Sequence, residues 1–443
     1  MACNQNPSGT CSTSEGFNTT SSGPSSHAEG SNTTASGNAS HAEGGSTLAS
    51  GEGSHAEGIG TTASAPAAHA EGFNSIANGN AAHAEGGSCT ASGSAAHAEG
   101  QNTSAGGNAA HAEGFQTTAT KDSAHAEGAL TQATAESAHA EGVSTIASAN
   151  AAHAEGFSTV ANKDAAHAEG TTTTASGVAA HAEGAQTTAS GNASHAEGIG
   201  TLANAESSHA EGLNTSAGGF AGAHIMGRNG TATEAYSWFI GNGTSTGAPG
   251  LGAKWLASSG NMFVDGAFVP GGADYAELFE TTDGMPIEPG YFVAGSGKKV
   301  RIAASEDDYI VGITSATPAI IGDSGEMHWQ GKYVTDSWGR VQFHEVRLSA
   351  EIDATGKEWM PARTEMQPVL NPRWNPQQAY MPRLKRPEWV AVGLLGKLLV
   401  RDDGTCEVDS YCKPNRDGIA TKTGSGYRVL ERTGDNQILI LFR

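Results

Sequence analysis

The first half of this sequence lacks several residue types that ordinary globular domains use. Residues 1–222 contain no Trp, Tyr or Arg, and Lys121 and Lys163 are their only lysines. These residues carry 20 acidic side chains against 2 basic ones, a net of −18 (2 − 20), whereas the remainder carries 26 against 22, a net of −4 (22 − 26). The composition excludes one conventional enzyme core filling the chain. The negative charge also argues against nucleic acid as a partner.

Other absences narrow the class further. No apolar run reaches the roughly 18 residues that a membrane span needs, so we expect no membrane insertion. The stretch from Met1 to Gly30 has neither the basic nor the apolar region of a secretory signal. The five cysteines are Cys3, Cys11, Cys89, Cys406 and Cys412. They are too few and too scattered for a disulfide framework, and their spacing is not that of a zinc site, so we expect no cofactor and no metal.

A single repeating unit, fourteen amino acids long, fills the region 27–222. It occurs fourteen times without an insertion, and each copy opens with His-Ala-Glu-Gly. Glu15-Gly16 lies one period before Glu29-Gly30, so residues 1–26 are interpreted as an N-terminal segment with a degenerate capping repeat. Such strict repetition is typical of a solenoid. Each unit consists of two halves of the form x-Ala-x-Gly-x-x-small, which predicts two short strands and two turns per coil.

Alternation along each strand decides which side chains point inward. Ala35 and its equivalents occur in all fourteen copies, so alanine is predicted to line the interior. Thr33 and its equivalents stand two residues earlier and are also predicted to point inward, with their hydroxyls bonded to turn backbone groups. A coil this short cannot enclose Leu, Ile and Val side chains. The pattern therefore predicts a flat parallel β-roll.

The repeat resembles the head domains of YadA-type trimeric adhesins, and the resemblance covers the repeat region 27–222 through its small-residue pattern. It implies a left-handed parallel β-roll and a homotrimer. The His-Ala-Glu-Gly strand departs from the hydrophobic strand usual in those heads. An alanine-lined roll buries little apolar surface, and at roughly 25 cal/mol per Å² this barely offsets chain entropy. Packing three chains together would supply the missing burial.

The repeat also predicts two columns of ionisable side chains. Coils spaced by about 4.8 Å place fourteen His beside fourteen Glu on the outward face, over roughly 65 Å. Three interpretations remain open. The columns neutralise one another across a trimer interface, they form a pH switch near the His pKa, or they bind a transition metal, for which His-x-Glu offers two ligands but no third.

The second half has a different composition and predicts two further regions. Residues 223–272 contain short strand patterns between Gly-rich turns and are interpreted as a β neck. Residues 273–443 contain a series of apolar strand patterns separated by Gly, Asp and Pro. They are numerous enough for a mostly β domain with its own core.

Several segments of this last domain carry a second resemblance. They are Gly271-Gly-Ala-Asp-Tyr-Ala-Glu-Leu-Phe-Glu280, Gly331-Lys-Tyr-Val-Thr-Asp-Ser-Trp-Gly-Arg-Val341, Tyr380-Met-Pro-Arg-Leu-Lys-Arg-Pro-Glu-Trp389, Val392-Gly-Leu-Leu-Gly-Lys397, Arg401-Asp-Asp-Gly-Thr405 and Asp417-Gly-Ile-Ala420. The region from about Gly271 to Arg443 is similar to the C-terminal autocleaving intramolecular chaperone of phage tailspikes and preneck appendages. The resemblance implies that the domain cuts itself off at its own N-terminal boundary after a trimer has formed.

Carried onto this chain, the resemblance implies cleavage between Ala273 and Asp274, with Asp274 and Glu277 as the catalytic carboxylates. Members of the family can have Ser before this Asp. Ala273 offers no hydroxyl nucleophile, which favours carboxylate chemistry. Two carboxylates three residues apart can be held near one peptide bond, one as the acid and the other as base or nucleophile. On the residues alone, two ordinary polar side chains at a strand edge are the preferred interpretation, and it is the resemblance that favours cleavage.

Together these observations predict a trimeric tail fibre, tailspike or appendage on a virion, assembled in the host cytoplasm. The N-terminal segment is expected to attach to the virion, and a host receptor or glycan is an expected partner. Nearly identical coils can pair out of step at little cost, so the C-terminal domain is expected to set the register. One alternative is a trimeric adhesin of a bacterial cell or spore surface. The other is a glycan depolymerase, which would need an acidic pair in an aromatic groove.

Overall fold

The computed structural model describes residues 4–325, 331–352, 356, 358–360, 362–377 and 379–443. Within these residues the regular structure consists of β-strands and one short 3-10 turn, Arg383–Lys385, which confirms the all-β prediction. None of their helical segments has the length and apolar character of a membrane span. Contacts divide the chain into two compact units, residues 1–266 and 267–443.

The first unit is a parallel β-solenoid in which each coil contributes one strand to each of two sheets. One sheet consists of Thr13–Phe17, His27–Ser31, His41–Ala42, His55–Ala56, His69–Ala70, His83–Gly87, His97–Gln101, His111–Phe115, His125–Ala129, His139–Val143, His153–Phe157, His167–Thr171, His181–Ala182, His195–Ile199 and His209–Leu213. The other consists of Gln5–Pro7, Thr19–Ser21, Thr34–Ala35, Leu48–Ala49, Thr62–Ala63, Ile76–Ala77, Thr90–Ala91, Ser104–Ala105, Thr118–Ala119, Gln132–Ala133, Ile146–Ala147, Val160–Ala161, Thr174–Ala175, Thr188–Ala189 and Leu202–Ala203. Each strand pairs with the equivalent strand of the next coil, as His83 does with His97. The predicted β-roll is thus confirmed.

The parallel ladder continues beyond the last His-Ala-Glu-Gly repeat. His224–Arg228 pairs with the last repeat strand, and Trp238–Asn242 pairs in turn with His224–Arg228. The inward alanine is replaced there by Ile225 and Phe239, both with no exposed surface. Two antiparallel strands follow, Leu251–Trp255 and Met262–Val264. The strand pairing of the roll therefore extends into the region interpreted as a neck.

The interior of the roll is filled by small side chains, as predicted. The inward alanines, among them Ala28 and Ala35, have no exposed surface, and Thr33 is equally buried. The predicted bonds from Thr hydroxyls to the backbone occur at Thr61 and Thr215, which donate to carbonyl oxygens four residues earlier. For ten others the prediction was wrong, because no described group bonds their Oγ1 atoms. These are Thr33, Thr47, Thr103, Thr117, Thr131, Thr145, Thr159, Thr173, Thr187 and Thr201. Their hydroxyls lie in the closed interior of the roll.

The Gly of each His-Ala-Glu-Gly unit is required by the backbone. From Gly16 to Gly212 these residues have φ between +92° and +107°. A Cβ atom placed on any of them would lie 2.1–2.2 Å from the carbonyl oxygen of the equivalent Gly in the next coil. Only glycine fits this position without displacing the neighbouring coil.

The second unit is a mostly β domain. Its strands are Asp274–Thr281, Phe292–Ser296, Lys299–Ile302, Ile310–Thr314, Ile320–Gly322, Phe343–Leu348, Glu351–Ile352, Glu358–Met360, Arg363–Pro368, Trp389–Arg401, Tyr411–Pro414, Ala420–Thr423, Tyr427–Gly434 and Gln437–Phe442. Five of them close into a ring, because the first strand pairs with both Lys299–Ile302 and Trp389–Arg401, and Phe292–Ser296 and Ile310–Thr314 join these two. Buried apolar side chains, including Phe292, Ile313 and Ile438, form its core.

Candidate active site at the start of the second unit

The predicted cleavage site lies at the first strand of the second unit, Asp274–Thr281, here called the entry strand. On one side it pairs antiparallel with Trp389–Arg401, the long strand. On the other side its first half pairs parallel with Ile320–Gly322, the short strand. Hydrogen bonding on both sides holds this part of the chain in place.

Asp274 points toward the inside of the domain. Its residue surface is 6% exposed, and Ala276 and Leu278 on the same face are buried as well. Among the described residues its Oδ2 atom has no hydrogen-bond partner although it is shielded from solvent. A buried polar atom without a partner costs free energy, and such atoms are common at sites that act on a substrate. Gly393 keeps this side of the long strand free of a side chain, because a Cβ there would lie 2.4 Å from the Leu398 Cδ2 atom and 3.0 Å from Asp274 Oδ2.

The carbonyl groups on both sides of Asp274 are held by backbone amides. The Lys397 N–H donates to the Ala273 oxygen at 3.4 Å, and the Ala319 N–H donates to the Asp274 oxygen at 2.9 Å. Gly396 has φ +121°, and a Cβ on it would lie 2.3 Å from the Ala273 oxygen. This glycine allows the long strand to come close to the peptide bond between Ala273 and Asp274. The Lys397 amide is therefore placed where negative charge would develop if that carbonyl were attacked.

Glu277 lies on the opposite face of the entry strand from Asp274. Its Oε1 accepts a hydrogen bond of 2.7 Å from the Tyr275 hydroxyl, and this bond raises the pKa of Tyr275 above its usual value. Both side chains stand over Gly322, where a Cβ would lie 2.7 Å from the Tyr275 hydroxyl oxygen and 3.0 Å from the Glu277 Cγ. Within one chain the structure therefore does not bring Asp274 and Glu277 together.

A cleft of about 680 Å³ opens beside the predicted cleavage site. Its lining residues are Gly271, Gly272, Ala273, Asp274, Glu288, Pro289, Gly290, Thr314, Ser315, Ala316, Thr317, Lys397, Leu398, Leu399, Arg401, Asn436, Gln437 and Leu439. Ala273 itself is exposed, so the peptide bond before Asp274 can be reached from outside.

Gly393, Gly396 and Tyr275 belong to this site, and the sequence analysis gave none of them a role. The two glycines lie in an otherwise apolar strand, Val392-Gly-Leu-Leu-Gly-Lys397. Glycine within a strand often marks a bulge or a close approach of another backbone, so this signal was available. Tyr275 carries no comparable signal.

The His and Glu columns have the predicted geometry. Imidazole centroids from His27 to His224 are 4.4–5.0 Å apart. Nε2 atoms lie 3.2–3.9 Å from Glu carboxylate oxygens. Burial first, and neighbouring His second, lower the pKa of His41, His69, His83, His111, His167 and His209. A hydrogen bond with Glu57 is the main cause that raises the pKa of Glu71 to about 7.

The His and Glu columns bring candidate metal ligands close together. Among the described residues, nine groups of ligand atoms lie within 4.8 Å of one another, such as those of His83, Glu85 and His97. The two imidazoles of that group are stacked with an interplanar angle of 9° and centroids 4.9 Å apart. Their in-plane lone pairs run parallel, whereas a zinc ion needs nitrogen lone pairs that converge at about 2.0–2.1 Å.

A second cleft, of about 700 Å³, follows the Glu column near the end of the roll. It is lined by Glu169, Glu183, Gly184, Glu197, Gly198, Glu211, Gly212, Met226, Gly227 and Ile240. None of these residues is aromatic. Sugar-cleaving grooves combine a carboxylate pair with surfaces on which sugar rings stack, so this cleft offers only the carboxylates.

Comparison with known proteins assigns the class of the C-terminal region. Residues 227–437 match the family model Peptidase_G2, described as the IMC autoproteolytic cleavage domain. The chain is a parallel β-solenoid whose C-terminal region matches this autoproteolytic family, which confirms the recognition made from the sequence. The match begins at residue 227, earlier than the boundary near Gly271 given by the sequence segments.

The individual relatives come from phages and from a bacterial genome. The pre-neck appendage protein of Bacillus phage B103 is 36% identical over 154 residues, which are 35% of this chain and 16% of that protein. The putative phage-related protein YobO of Bacillus subtilis strain 168 is 32% identical over 185 residues, 41% of this chain and 22% of that protein. The crystal structure of the bacteriophage phi29 gene product 12 C-terminal fragment is 29% identical, with 38% of this chain aligned to 100% of the fragment and a TM-score of 0.32. The chain thus spans only about a fifth of the length of these full-length relatives.

Proposed function

We propose that this protein is a trimeric phage appendage or tail-fibre protein whose C-terminal domain directs assembly and then removes itself by cutting between Ala273 and Asp274. The single observation that carries the proposal is the buried Asp274 carboxyl, whose Oδ2 has no described partner. It lies next to the exposed peptide bond between Ala273 and Asp274, whose carbonyl oxygen accepts a backbone hydrogen bond. The match of residues 227–437 to the autoproteolytic domain supports the same reaction. The phage relatives support a virion location, and no finding favours a bacterial cell or spore surface.

The proposed reaction is hydrolysis of one peptide bond, carried out once per chain. Asp274 gives a proton to its own amide nitrogen as that nitrogen leaves, and a second carboxylate takes a proton from the attacking water. Glu277 could take this role only from a neighbouring chain, because within one chain it lies on the opposite face of the entry strand. The water oxygen bonds to the Ala273 carbonyl carbon, and the Lys397 N–H stabilises the resulting oxyanion. The products are a carboxylate at Ala273 and a free amine at Asp274.

Trimerisation is supported by the outward face of the roll. Next to the His and Glu columns, large apolar side chains are 40–59% exposed at the residue after Gly. They are Phe17, Ile59, Phe73, Phe115, Val143, Phe157, Ile199 and Leu213. Other coils carry small or polar residues at this position, such as Gln101 and Thr171. Exposed apolar side chains grouped on one face mark protein contacts. A second and third copy would cover this face and bring His and Glu of different chains together.

A register-setting role for the second unit follows from the regularity of the first. Successive coils present the same His, Glu and Ala at the same spacing, as in the pairs of His97 with His111 and Ala98 with Ala112. Two chains shifted by one coil would repeat almost all contacts, so such states would be kinetic traps. The non-repeating second unit is the part of the chain that can distinguish the correct alignment. Removing it afterwards leaves a shaft that persists through its unfolding barrier.

The test is the intact mass and native mass of freshly purified full-length protein. Wild type is expected to split after Ala273, with the N-terminal piece trimeric. Asp274→Asn and Glu277→Gln are expected to stay uncut and still trimeric. Glu280→Gln is the matched control, because Glu280 lies on the same strand and pairs instead with Lys299 at 2.7 Å. A wild-type protein that remains one uncut chain would rule out cleavage at this bond.

A further inference from the structure

We infer that the His and Glu columns of the roll bind a row of divalent transition-metal ions such as Zn²⁺, each held by one imidazole and by the carboxylates of two successive coils. This inference goes beyond the proposed function and does not depend on cleavage. It starts from the fifteen stacked imidazoles between His27 and His224. Fourteen of their Nε2 atoms, all except that of His55, are shielded from solvent and have no hydrogen-bond partner among the described residues. Buried polar atoms without partners are rare, and a bound ion is one of the few explanations for a whole row of them.

An imidazole of this column has carboxylates on two sides. His55 shows both contacts, because its Nε2 is 3.2 Å from Glu43 of the preceding coil and 3.9 Å from Glu57 of its own strand. In twelve other coils Nε2 lies 3.4–3.8 Å from one of these two carboxylates. At His97 the carboxylate of the preceding coil, Glu85, also has an oxygen within 4.8 Å of a ring nitrogen. The His-x-Glu motif supplies two ligands within one coil, and the stacking of the coils supplies the third.

These distances are close to those around a bound zinc ion. Zinc lies about 2.0–2.1 Å from imidazole nitrogen and about 2.0–2.2 Å from carboxylate oxygen, so neighbouring ligand atoms around it are about 2.9–3.4 Å apart. Nε2 and a carboxylate oxygen are already 3.4 Å apart at His97 and His153, and the flexible Glu side chain can close the remaining gap elsewhere. Two stacked imidazoles have parallel lone pairs, so each ion takes only one nitrogen. Imidazole together with carboxylate favours zinc, copper or nickel over calcium and magnesium, which prefer oxygen ligands alone.

Charge balance sets the number of ions. The fourteen repeats place fourteen Glu in one column, and successive carboxylates stand side by side, as Glu85 does with Glu99. Carboxylates about 4.8 Å apart repel one another, and a divalent ion between two of them removes this repulsion. Two carboxylates per ion divide the fourteen among seven ions, whose charge offsets that of the whole column. The ions then occupy alternate coils, about 9.6 Å apart.

The test is the zinc content of the full-length protein. The protein is produced in zinc-supplemented medium, so that the ions are present before another copy covers this face, and it is purified without a metal-affinity step. Elemental analysis after desalting should give about seven zinc ions per roll, whether or not the second unit is still attached. X-ray absorption at the zinc edge should show one imidazole nitrogen per ion, with oxygen ligands at about 2.0–2.2 Å.

A column variant and a matched control separate these sites from scattered binding. The column variant removes four successive carboxylates through Glu85→Gln, Glu99→Gln, Glu113→Gln and Glu127→Gln. The control removes four carboxylates from turns of the roll outside the column through Glu52→Gln, Asp122→Asn, Glu136→Gln and Asp164→Asn. Both variants lose the same charge and should keep the β-signature of wild type in circular dichroism. The column variant should lose about two of the seven ions, because four carboxylates serve two sites, whereas the control should lose none.

Three results would overturn the inference. One is zinc that leaves the wild-type protein during desalting. Another is the same zinc content in the column variant and the control. The third is an absorption spectrum with two imidazole nitrogens per ion or with none. The first and third need only the wild-type protein, so they decide the matter even if a variant does not fold. An uncut wild type would refute the proposed cleavage and leave each of these results unchanged.

Discussion

The glycine column of the roll allows a sharp test, because adjacent glycines have opposite requirements. Gly44 has φ +100°, and a Cβ there would lie 2.1 Å from the Gly58 carbonyl oxygen. Gly45 has an ordinary φ, and a Cβ there would lie 3.9 Å from the nearest side-chain atom of Ile59. Gly44→Ala should therefore disturb the roll, whereas Gly45→Ala should be tolerated.

The size of the effect follows from two costs. An unfavourable φ costs about 1–3 kcal/mol for a residue with a Cβ. The Gly58 oxygen must also move, although it accepts a hydrogen bond of 2.7 Å from the Gly45 N–H, and losing that bond costs about 1 kcal/mol. Gly44→Ala should thus destabilise these coils by about 2–4 kcal/mol. Gly45→Ala should stay within about 0.5 kcal/mol of wild type or stabilise slightly.

Hydrogen–deuterium exchange of the full-length chain is the appropriate assay, since it reports opening of individual coils. A loss of about 2 kcal/mol corresponds to about a 30-fold drop in amide protection, and we expect at least this drop in peptides covering residues 41–60 of the Gly44→Ala protein. Peptides from distant coils should be unchanged, because coils in a solenoid contact only their neighbours. Protection in Gly44→Ala within threefold of that in Gly45→Ala would refute the reasoning.

Three further predictions concern the core, the His column and a buried ion pair. Ala112 has no exposed surface, so Ala112→Val should overpack the roll and lower the free energy of unfolding in urea by about 1–3 kcal/mol. An unchanged urea midpoint would show that the interior can expand. Histidines whose pKa is lowered in the roll bind fewer protons than the unfolded chain below about pH 6.5, so stability should fall on acidification from pH 7 to pH 5. The raised pKa of Glu71 works in the opposite direction, and a midpoint of thermal unfolding that rises on acidification would mean that the Glu column dominates. Arg432 pairs at 2.5 Å with Asp402, whose side chain has no exposed surface, so Arg432→Ala should lower the free energy of unfolding by about 3–5 kcal/mol. If the unpaired buried charge is the cause, adding Asp402→Asn should restore much of this loss.

The roll could be predicted because its pattern is local and repeated. Ala35 and its equivalents alternate with polar residues, and alternation alone decides which face is inside. The end of the roll was less apparent, because the motif His-Ala-Glu-Gly stops while the pairing continues through Trp238. The pattern x-apolar-x-Gly persists there in His224-Ile-Met-Gly227 and Trp238-Phe-Ile-Gly241, and it is this pattern that the backbone requires. The inward position accepts Ile225 and Phe239 near the end of the stack, where the chain departs from the narrow repeat.

The inward threonines show a limit of pattern analysis. The alternation of residues along the strand correctly predicts that Thr33 points inward. The same alternation does not predict which group, if any, bonds to its hydroxyl. At Thr61 and Thr215 the hydroxyl donates to a carbonyl oxygen four residues earlier, whereas at Thr33, Thr103 and Thr201, which follow the same residue types, it has no described partner. The sequence analysis predicted that every inward threonine would bond to turn backbone groups, because parity places all of them inside.

The candidate site shows how the meaning of a spacing depends on the element that carries it. Two carboxylates three residues apart would share a face of a helix, but on a strand they lie on opposite faces. Asp274 and Glu277 lie on a strand, and hydrogen bonds on both edges prevent it from twisting one side chain around to the other.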